Sequence, residues 1–287
     1  MAIIISGKEL AQQRKELMTL EVQELKNKYN KVPHLVVILV GNDPGSVSYV
    51  TGKKKACDEI GLRNTTIVKD TDITEEELIN IINDLNNDED VDGILVQLPL
   101  PKHIDAMKVN DTIRPDKDVD GFTPYNVASL YLKREGIIPC TPKGIIKVLE
   151  SKNIEIAGKN AVVIGRSNIV GLPISKLLLD KNATVTTAHS RTKDLASVTS
   201  QADILIAAVG RPLFVTADMV KEGAVVIDVG VNRNPQTNKL CGDVDFENVK
   251  EKASYITKVP GGIGPMTISC LIENTIECFK KHVKNNK

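Results

Sequence analysis

The chain has 287 residues, enough for two modest domains of about 100 to 200 residues, either able to bury its own core. With 41% hydrophobic and 26% charged residues, its composition is that of an ordinary globular protein and excludes disordered and fibrous classes. Lysine plus arginine and aspartate plus glutamate both number 37, so no overall field draws the chain to nucleic acid or to an anionic membrane.

The opening MAIIISGKEL holds three consecutive isoleucines before polar residues, too few for a secretory leader, and no apolar run approaches about 18 residues. Apolar residues at helical spacing predict helices over 7–29, 46–60, 74–86, 142–152, 170–181 and 265–281. Short β-branched runs predict strands at HLVVILV from His34, DGILVQL from Asp92, NAVVIG from Asn160, ATVTTAH from Ala183, ADILIAAVG from Ala202 and AVVIDVGV from Ala224. Strands that are apolar almost throughout are buried on both faces, as in parallel sheets covered by helices. The expected class is α/β: two α/β domains around a cleft, the second a Rossmann-like dinucleotide-binding domain. The stretch Arg114–Pro142 is rich in proline, glycine and charge and is the expected domain junction. A cleft between domains is the default small-molecule site. The five cysteines (Cys57, Cys140, Cys241, Cys270, Cys278) are odd in number and show no C-x-x-C or Cys/His cluster, which points to a reducing compartment, the cytoplasm, and away from disulfides and structural zinc.

Three segments of the first half carry chemistry. After the turn GNDPG, SYVTGK sets Tyr49 and Lys53 four apart on one helical face, where an aromatic ring can lie beside an ammonium. Alone, this pairing is common on helix surfaces, and spacing does not choose among Lys53, Lys54 and Lys55. DGILVQLPLP places Gln97 at the C-terminal end of a strand, the ligand edge of open α/β sheets, with Pro99 and Pro101 ending the pairing. KDVDGF puts Asp118 and Asp120 in a loop, where a carboxylate can accept two N–H bonds from a guanidine-like ring edge such as a pterin's, although loop acids are commonly solvated.

In the second half, NAVVIGRSNIVGLP reads as strand, glycine turn and helix beginning near Ile169, suited to a pyrophosphate at a helix N-terminus. Gly165 and Gly171 bracket Arg166, Ser167 and Asn168 with no middle glycine, so the spacing departs from G-x-G-x-x-G and a plain packing turn stays open. Where an NAD-specific fold ends its second strand with an acid, this chain has His189, Ser190 and Arg191. Hydroxyl and guanidinium groups suit a 2′-phosphate, so NADP is the expected cofactor, with Arg166 a second candidate. VPGGIGPMT (residues 259–267) packs three glycines and two prolines before the last helix, a density that permits close approach of a ligand.

Together, SYVTGK, QLPLP, KDVDGF, PCTP, GRSNIVGLP and PGGIGPMT resemble the bifunctional methylenetetrahydrofolate dehydrogenase and methenyltetrahydrofolate cyclohydrolase family, in the same order from Gly41 to Thr267. Ile263, where valine is commoner, is the one departure within them. The resemblance implies Lys53 as the catalytic lysine, Gln97 as its orienting partner, Tyr49 stacked on the folate, Asp120 at the pterin edge, and Pro260, Gly261 and Gly262 lining the same cleft. It implies Gly165, Arg166, Ser167, Ser190 and Val231 as cofactor contacts beside Arg191, and Lys53, Gln97 and Asp120 as the catalytic set. It also implies a folate domain over 1–139 joined by a returning helix 268–287, an NADP domain over 140–267, a homodimer formed through the cofactor domain, and a supply of one-carbon units to purine biosynthesis. Tetrahydrofolate derivatives are the expected ligands, with no nucleic acid, membrane or metal. A short-chain dehydrogenase also uses Y-x-x-x-K, but after its dinucleotide fold, whereas Tyr49 precedes Gly165. A non-catalytic nucleotide-binding module is disfavoured by the coincidence of Lys53, Gln97 and Asp120.

Overall fold

The computed structural model describes residues 1–285. In chain order its elements are β1 (Ile3–Ile5), α1 (Gly7–Tyr29), β2 (His34–Val40), α2 (Pro44–Ile60), β3 (Arg63–Lys69), α3 (Glu75–Asn87), β4 (Gly93–Val96), α4 (Ala106–Thr112), α5 (Pro124–Leu132) and α6 (Cys140–Ser151). There follow β5 (Asn160–Ile164), α7 (Gly171–Asp180), β6 (Thr184–Ala188), α8 (Leu195–Thr199), β7 (Ile204–Ala207), β8 (Val225–Asp228), β9 (Asn232–Arg233), β10 (Leu240–Cys241), α9 (Phe246–Val249), β11 (Tyr255–Thr257) and α10 (Ile263–Asn285). Contacts divide the chain into two compact units, Gln13–Cys140 with the segment from Ile268, and Met1–Gln12 with Thr141–Thr267.

The first unit holds a parallel sheet in the order β3-β2-β4. Central β2 buries all seven of its residues, and alternation sends the six apolar ones to two cores. Leu35, Val37 and Leu39 pack with Val22, Val50, Cys57 and Phe279, while Val36, Ile38 and Val40 pack with Leu78, Ile82 and Val109. Helix α2 starts where Asp43 accepts a bond from Ser46 N–H at 2.8 Å and Pro44 presets the first turn; it stops at Gly61 in the left-handed region. Helix α3 starts on a capping box between Thr74 and Glu77.

The second unit holds a six-stranded parallel sheet, β1-β11-β8-β7-β5-β6, and the small antiparallel pair β9–β10. From β5 the chain passes to β6 on one side and then returns to β7 on the other, so the strand order reverses between β5 and β7. Ligands of such sheets bind at the C-terminal ends of the two strands flanking that reversal.

The six expected helices and six expected strands are all present, with ends displaced by a few residues; the glycine-turn helix begins at Gly171 rather than Ile169. One expectation is corrected. Residues 1–12 do not belong with 13–139: Ile3–Ile5 pair in parallel with Tyr255–Thr257 in the six-stranded sheet, a long-range pairing that three isoleucines give no period to reveal. The expected junction Arg114–Pro142 does contain the division between the units, which falls between Cys140 and Thr141, but most of the stretch is folded. It contains α5, buries Lys117, Asp118, Val119 and Asn126, and belongs to the first unit up to Cys140. Residues 286 and 287 of the expected returning segment lie outside the described residues. Strand β3 escaped prediction because RNTTIVK is polar at its start, as an edge strand with alternately exposed residues allows.

Candidate active site

In the three-stranded unit, the strand order reverses between β2 and β4. Gln97 follows β4 directly and is fixed by its backbone N–H, which donates to Ile38 O at 2.8 Å. Its side-chain Nε2 donates to Leu98 O at 2.7 Å, which turns Oε1 toward α2, where it accepts from Lys53 Nζ at 3.0 Å. Lys53 is only 4% exposed, whereas Lys54 and Lys55 face solvent, so burial selects the lysine that spacing left open. The ammonium also lies 4.6 Å from the centroid of the Tyr49 ring, the geometry expected four residues apart on one face. Burial pushes the Lys53 ammonium below the ordinary lysine range, and the negative charge of Asp120 opposes that shift.

The two aspartates of KDVDGF separate by the work they do. Asp118 is buried and its oxygens are occupied: one accepts Gly121 N–H at 2.9 Å, the other Thr123 N–H at 2.8 Å and Asn126 Nδ2 at 2.9 Å. Asp118 therefore builds the loop. Lys117 is likewise structural, its Nζ donating to the carbonyls of Leu85 and Asp88 at the end of α3. Asp120 is half-buried; burial pushes its carboxyl up, while the Lys53 charge and a hydrogen bond from the Cys140 thiol pull it down. Tyr49, Lys53, Gln97 and Asp120 are thus all in one unit, with Lys53 as the common neighbour. Cys140 was not singled out from sequence, since its thiol reaches the loop only in the fold, donating to Val119 O at 3.3 Å.

Pro260, Gly261 and Gly262 belong to the six-stranded unit. There Gly261 has φ 104°, its carbonyl accepts Lys8 N–H at 3.0 Å, and a Cβ on Gly7 would lie 1.9 Å from Gly262 O. Only glycine permits that close approach of the two backbones.

The glycine turn lies at the reversal between β5 and β7. Gly165 has φ 125°, and a Cβ there would meet Ala208 O at 2.2 Å; a Cβ on Gly171 would meet Gly165 O at 2.3 Å. Both glycines are therefore sterically obligatory. Ser167 Oγ accepts the N–H groups of Val170 and Gly171 at 3.2 Å and shapes the start of α7. Arg166, Ser167, Ser190 and Arg191 are exposed, as is Val231 after β8. The turn after β6 is held by His189 N–H donating to Thr192 Oγ1 at 2.8 Å and Arg191 N–H donating to His189 Nδ1 at 3.1 Å. Among the described residues neither guanidinium has an ion-pair partner, so both are available to an anion. A narrow glycine cradle with free guanidinium groups fits a dinucleotide that carries an additional phosphate.

Two family models match the chain: the tetrahydrofolate dehydrogenase/cyclohydrolase catalytic domain over residues 5–120 and the corresponding NAD(P)-binding domain over residues 139–283. The chain belongs to the tetrahydrofolate dehydrogenase/cyclohydrolase family. It is 54% identical over 280 residues to the bifunctional protein FolD of Bacillus subtilis, covering 98% of both chains. The crystal structure of the bifunctional FolD of Campylobacter jejuni matches with TM-score 0.95 at 48% identity, over 98% of this chain and 99% of that one. The Trypanosoma brucei methylenetetrahydrofolate dehydrogenase-cyclohydrolase, solved with NADP and an inhibitor, matches with TM-score 0.95 at 39% identity, covering 99% of each. The chain is accordingly a two-domain α/β enzyme of this family. Its catalytic-domain match contains Tyr49, Lys53, Gln97 and Asp120, and its NAD(P)-binding match contains the glycine turn. No helix among the described residues is long and apolar enough to cross a membrane.

Proposed function

We propose that this chain oxidises 5,10-methylenetetrahydrofolate to 5,10-methenyltetrahydrofolate with NADP and then hydrolyses the product to 10-formyltetrahydrofolate, with Lys53 as the proton-handling residue of the second step. The observation that carries the reading is a buried lysine with a depressed pKa, aimed by Gln97 and flanked by Tyr49 and Asp120, in a chain of this family.

NADP, when bound, supplies the hydride acceptor. The methylene carbon lies between two nitrogens that stabilise the cation left behind, so the protein's task in oxidation is positioning rather than acid–base chemistry. Tyr49 stacks on the folate, and Asp120 accepts two N–H bonds from the pterin edge. Pro260, Gly261 and Gly262, in the six-stranded unit, offer a glycine-rich backbone surface that permits close approach of a ligand. Hydrolysis adds water to the cationic carbon, releases a proton and opens the ring to the N10-formyl product. A lysine whose proton is loosely held can take and return protons around that water, and Gln97 keeps its lone pair or ammonium on line. In the other unit, Gly165, Arg166 and Ser167 cradle the pyrophosphate, Ser190 and Arg191 grip the 2′-phosphate, and Val231 contacts the nucleotide.

The reading includes a homodimer and, supported by five free cysteines, a reducing compartment such as the cytoplasm, where the formyl product enters purine biosynthesis. Purified protein with methylenetetrahydrofolate and each nicotinamide cofactor tests the core of it. Reduced-nicotinamide absorbance should grow with NADP, and added methenyltetrahydrofolate should decay without nucleotide. Nucleotide binding with neither change would indicate a non-catalytic module instead.

A further inference from the structure

Two aspartates lie buried at the C-terminal edge of the six-stranded sheet, outside the residues assigned above. Asp228 ends β8 and Asp243 follows β10; they are 3% and 0% exposed. The Asp243 carboxylate is filled by four donors. Oδ2 accepts the N–H groups of Val209 at 2.6 Å and Gly210 at 3.0 Å, and Oδ1 accepts Arg211 N–H at 2.9 Å and Asn232 Nδ2 at 2.8 Å. Three successive backbone N–H groups converging on one anion form a nest, occupied here from inside the protein. Asp228 braces the nest from behind, accepting the N–H groups of Asp243 and Gly230 at 2.9 Å and of Val244 at 3.0 Å. The approach is so close that a Cβ on Gly230 would fall 2.3 Å from Asp243 Oδ1, and one on Gly242 1.8 Å from Asp228 Oδ2.

What this carboxylate holds is the wall of the nucleotide site. The loop 208–211 continues from β7, the strand next to β5 at the reversal, and its Ala208 carbonyl is the atom against which Gly165 fits without a side chain. Asn232, on the other oxygen, directly follows Val231. One buried side chain thus links the loop behind the glycine turn to the segment that carries Val231. A shift of the 208–211 loop moves Ala208 O into or away from Gly165 and changes the turn that faces the pyrophosphate.

We infer that Asp243 is a positioning residue for the nicotinamide cofactor, fixing the loop after β7 and the Val231 segment in the arrangement that binds it, without touching the cofactor itself. The inference rests on the NADP reading above.

The test uses full-length Asp243→Asn, which keeps the side-chain shape but turns an amide NH2 toward backbone donors, and measures NADP affinity by calorimetry beside nucleotide-free hydrolysis of methenyltetrahydrofolate. Loss of charge-assisted acceptance should raise the NADP Kd about 10-fold or more while leaving the hydrolysis rate within about twofold. An NADP Kd unchanged in the folded variant overturns the inference, as does an equal loss of NADP binding and hydrolysis, which would make Asp243 a general stabiliser. Should Asp243→Asn not fold, Asn232→Ala removes one half-exposed donor only. It should raise the NADP Kd about threefold, with hydrolysis intact, and no rise again overturns the inference. Wild-type protein that fails to bind NADP would instead refute the cofactor reading, a result visible before any variant is made.

Discussion

Lys53 and Asp243 are both buried ions, and they are treated in opposite ways. Asp243 has four hydrogen-bond donors on two oxygens, all from its own unit. Lys53 has three N–H bonds to give and, among the described residues, one acceptor, the Gln97 amide, together with the Tyr49 ring face. A buried charge that is fully bonded organises the chain around it, because breaking any one bond leaves a polar group unpaired. A buried charge left short of partners is costly to the fold, and its pKa moves toward the neutral form. That second condition is what proton transfer requires, so the incompletely satisfied ion marks chemistry and the saturated one marks scaffolding.

Lys53→Met offers the sharpest break of this comparison. It should lower cyclohydrolase turnover by about 10²-fold or more, since the titrating group is gone, while thermal stability holds or rises because a buried charge has been replaced by an apolar chain. A variant that still hydrolyses methenyltetrahydrofolate at the parental rate would remove Lys53 from the mechanism. The aspartate pair repeats the contrast within one loop. Asp120→Asn should raise the folate KM by about 100-fold through loss of two charge-assisted bonds, with little change in melting temperature. Asp118→Asn should do the reverse, lowering the melting temperature first, because its oxygens serve Gly121, Thr123 and Asn126. If calorimetry and kinetics showed the two substitutions to be interchangeable, hydrogen-bond saturation would be no guide to role.

A smaller effect is expected at the exposed edge of the cofactor site. Arg191→Ala should raise the KM for NADP by about 10-fold and leave that for NAD nearly unchanged, since only NADP offers a 2′-phosphate to a guanidinium. Steady-state kinetics with both nucleotides decide it, and a surviving NADP preference would direct attention to Arg166. The last case, read in stability rather than kinetics, is His282 on α10. Its Nδ1 lies 2.9 Å from Asp92 Oδ1 and its Nε2 3.3 Å from Asp116 Oδ2, and these carboxylates, Asp116 foremost, raise its pKa to about 9. The folded pKa lies above the unfolded value of about 6.5, so the stabilisation is complete below pH 6.5 and is lost as pH rises through 9. Urea denaturation should show a fall of about 2 to 3 kcal/mol across that window, absent in His282→Gln; equal slopes in both proteins would mean that the imidazole is not held charged.

Much of the architecture was readable because it is local. β2 is apolar at every position after His34 and is buried on both sides, and the helix over 7–29 follows its spacing without displacement. Gly165 and Gly171 announced a tight turn, and both prove to be positions where a Cβ would strike backbone. The motif residues Tyr49, Lys53, Gln97 and Asp120 were named from the sequence through a family resemblance, while the pairing of Tyr49 with Lys53 on one face follows from helix geometry alone. By contrast, AVVIDVGV sets Asp228 among apolar residues and CGDVDF holds both Asp243 and Asp245, signals that carried no partner.

What the sequence by itself determined was therefore the α/β class, the types of the long elements, the glycine turn and, through its motifs, the family. The tertiary structure alone decided that Ile3–Ile5 pair with Tyr255–Thr257, that Lys53 rather than Lys54 or Lys55 is the buried ammonium, and that Asp118 is consumed by its loop while Asp120 is not. It also decided that Asp243 holds Val209, Gly210 and Arg211. The reason is physical: element type follows from periods of two to four residues along the chain, whereas burial and hydrogen-bond saturation depend on groups brought together from afar. Lys53 and Gln97 are 44 positions apart, and Asp243 and Val209 are 34 apart.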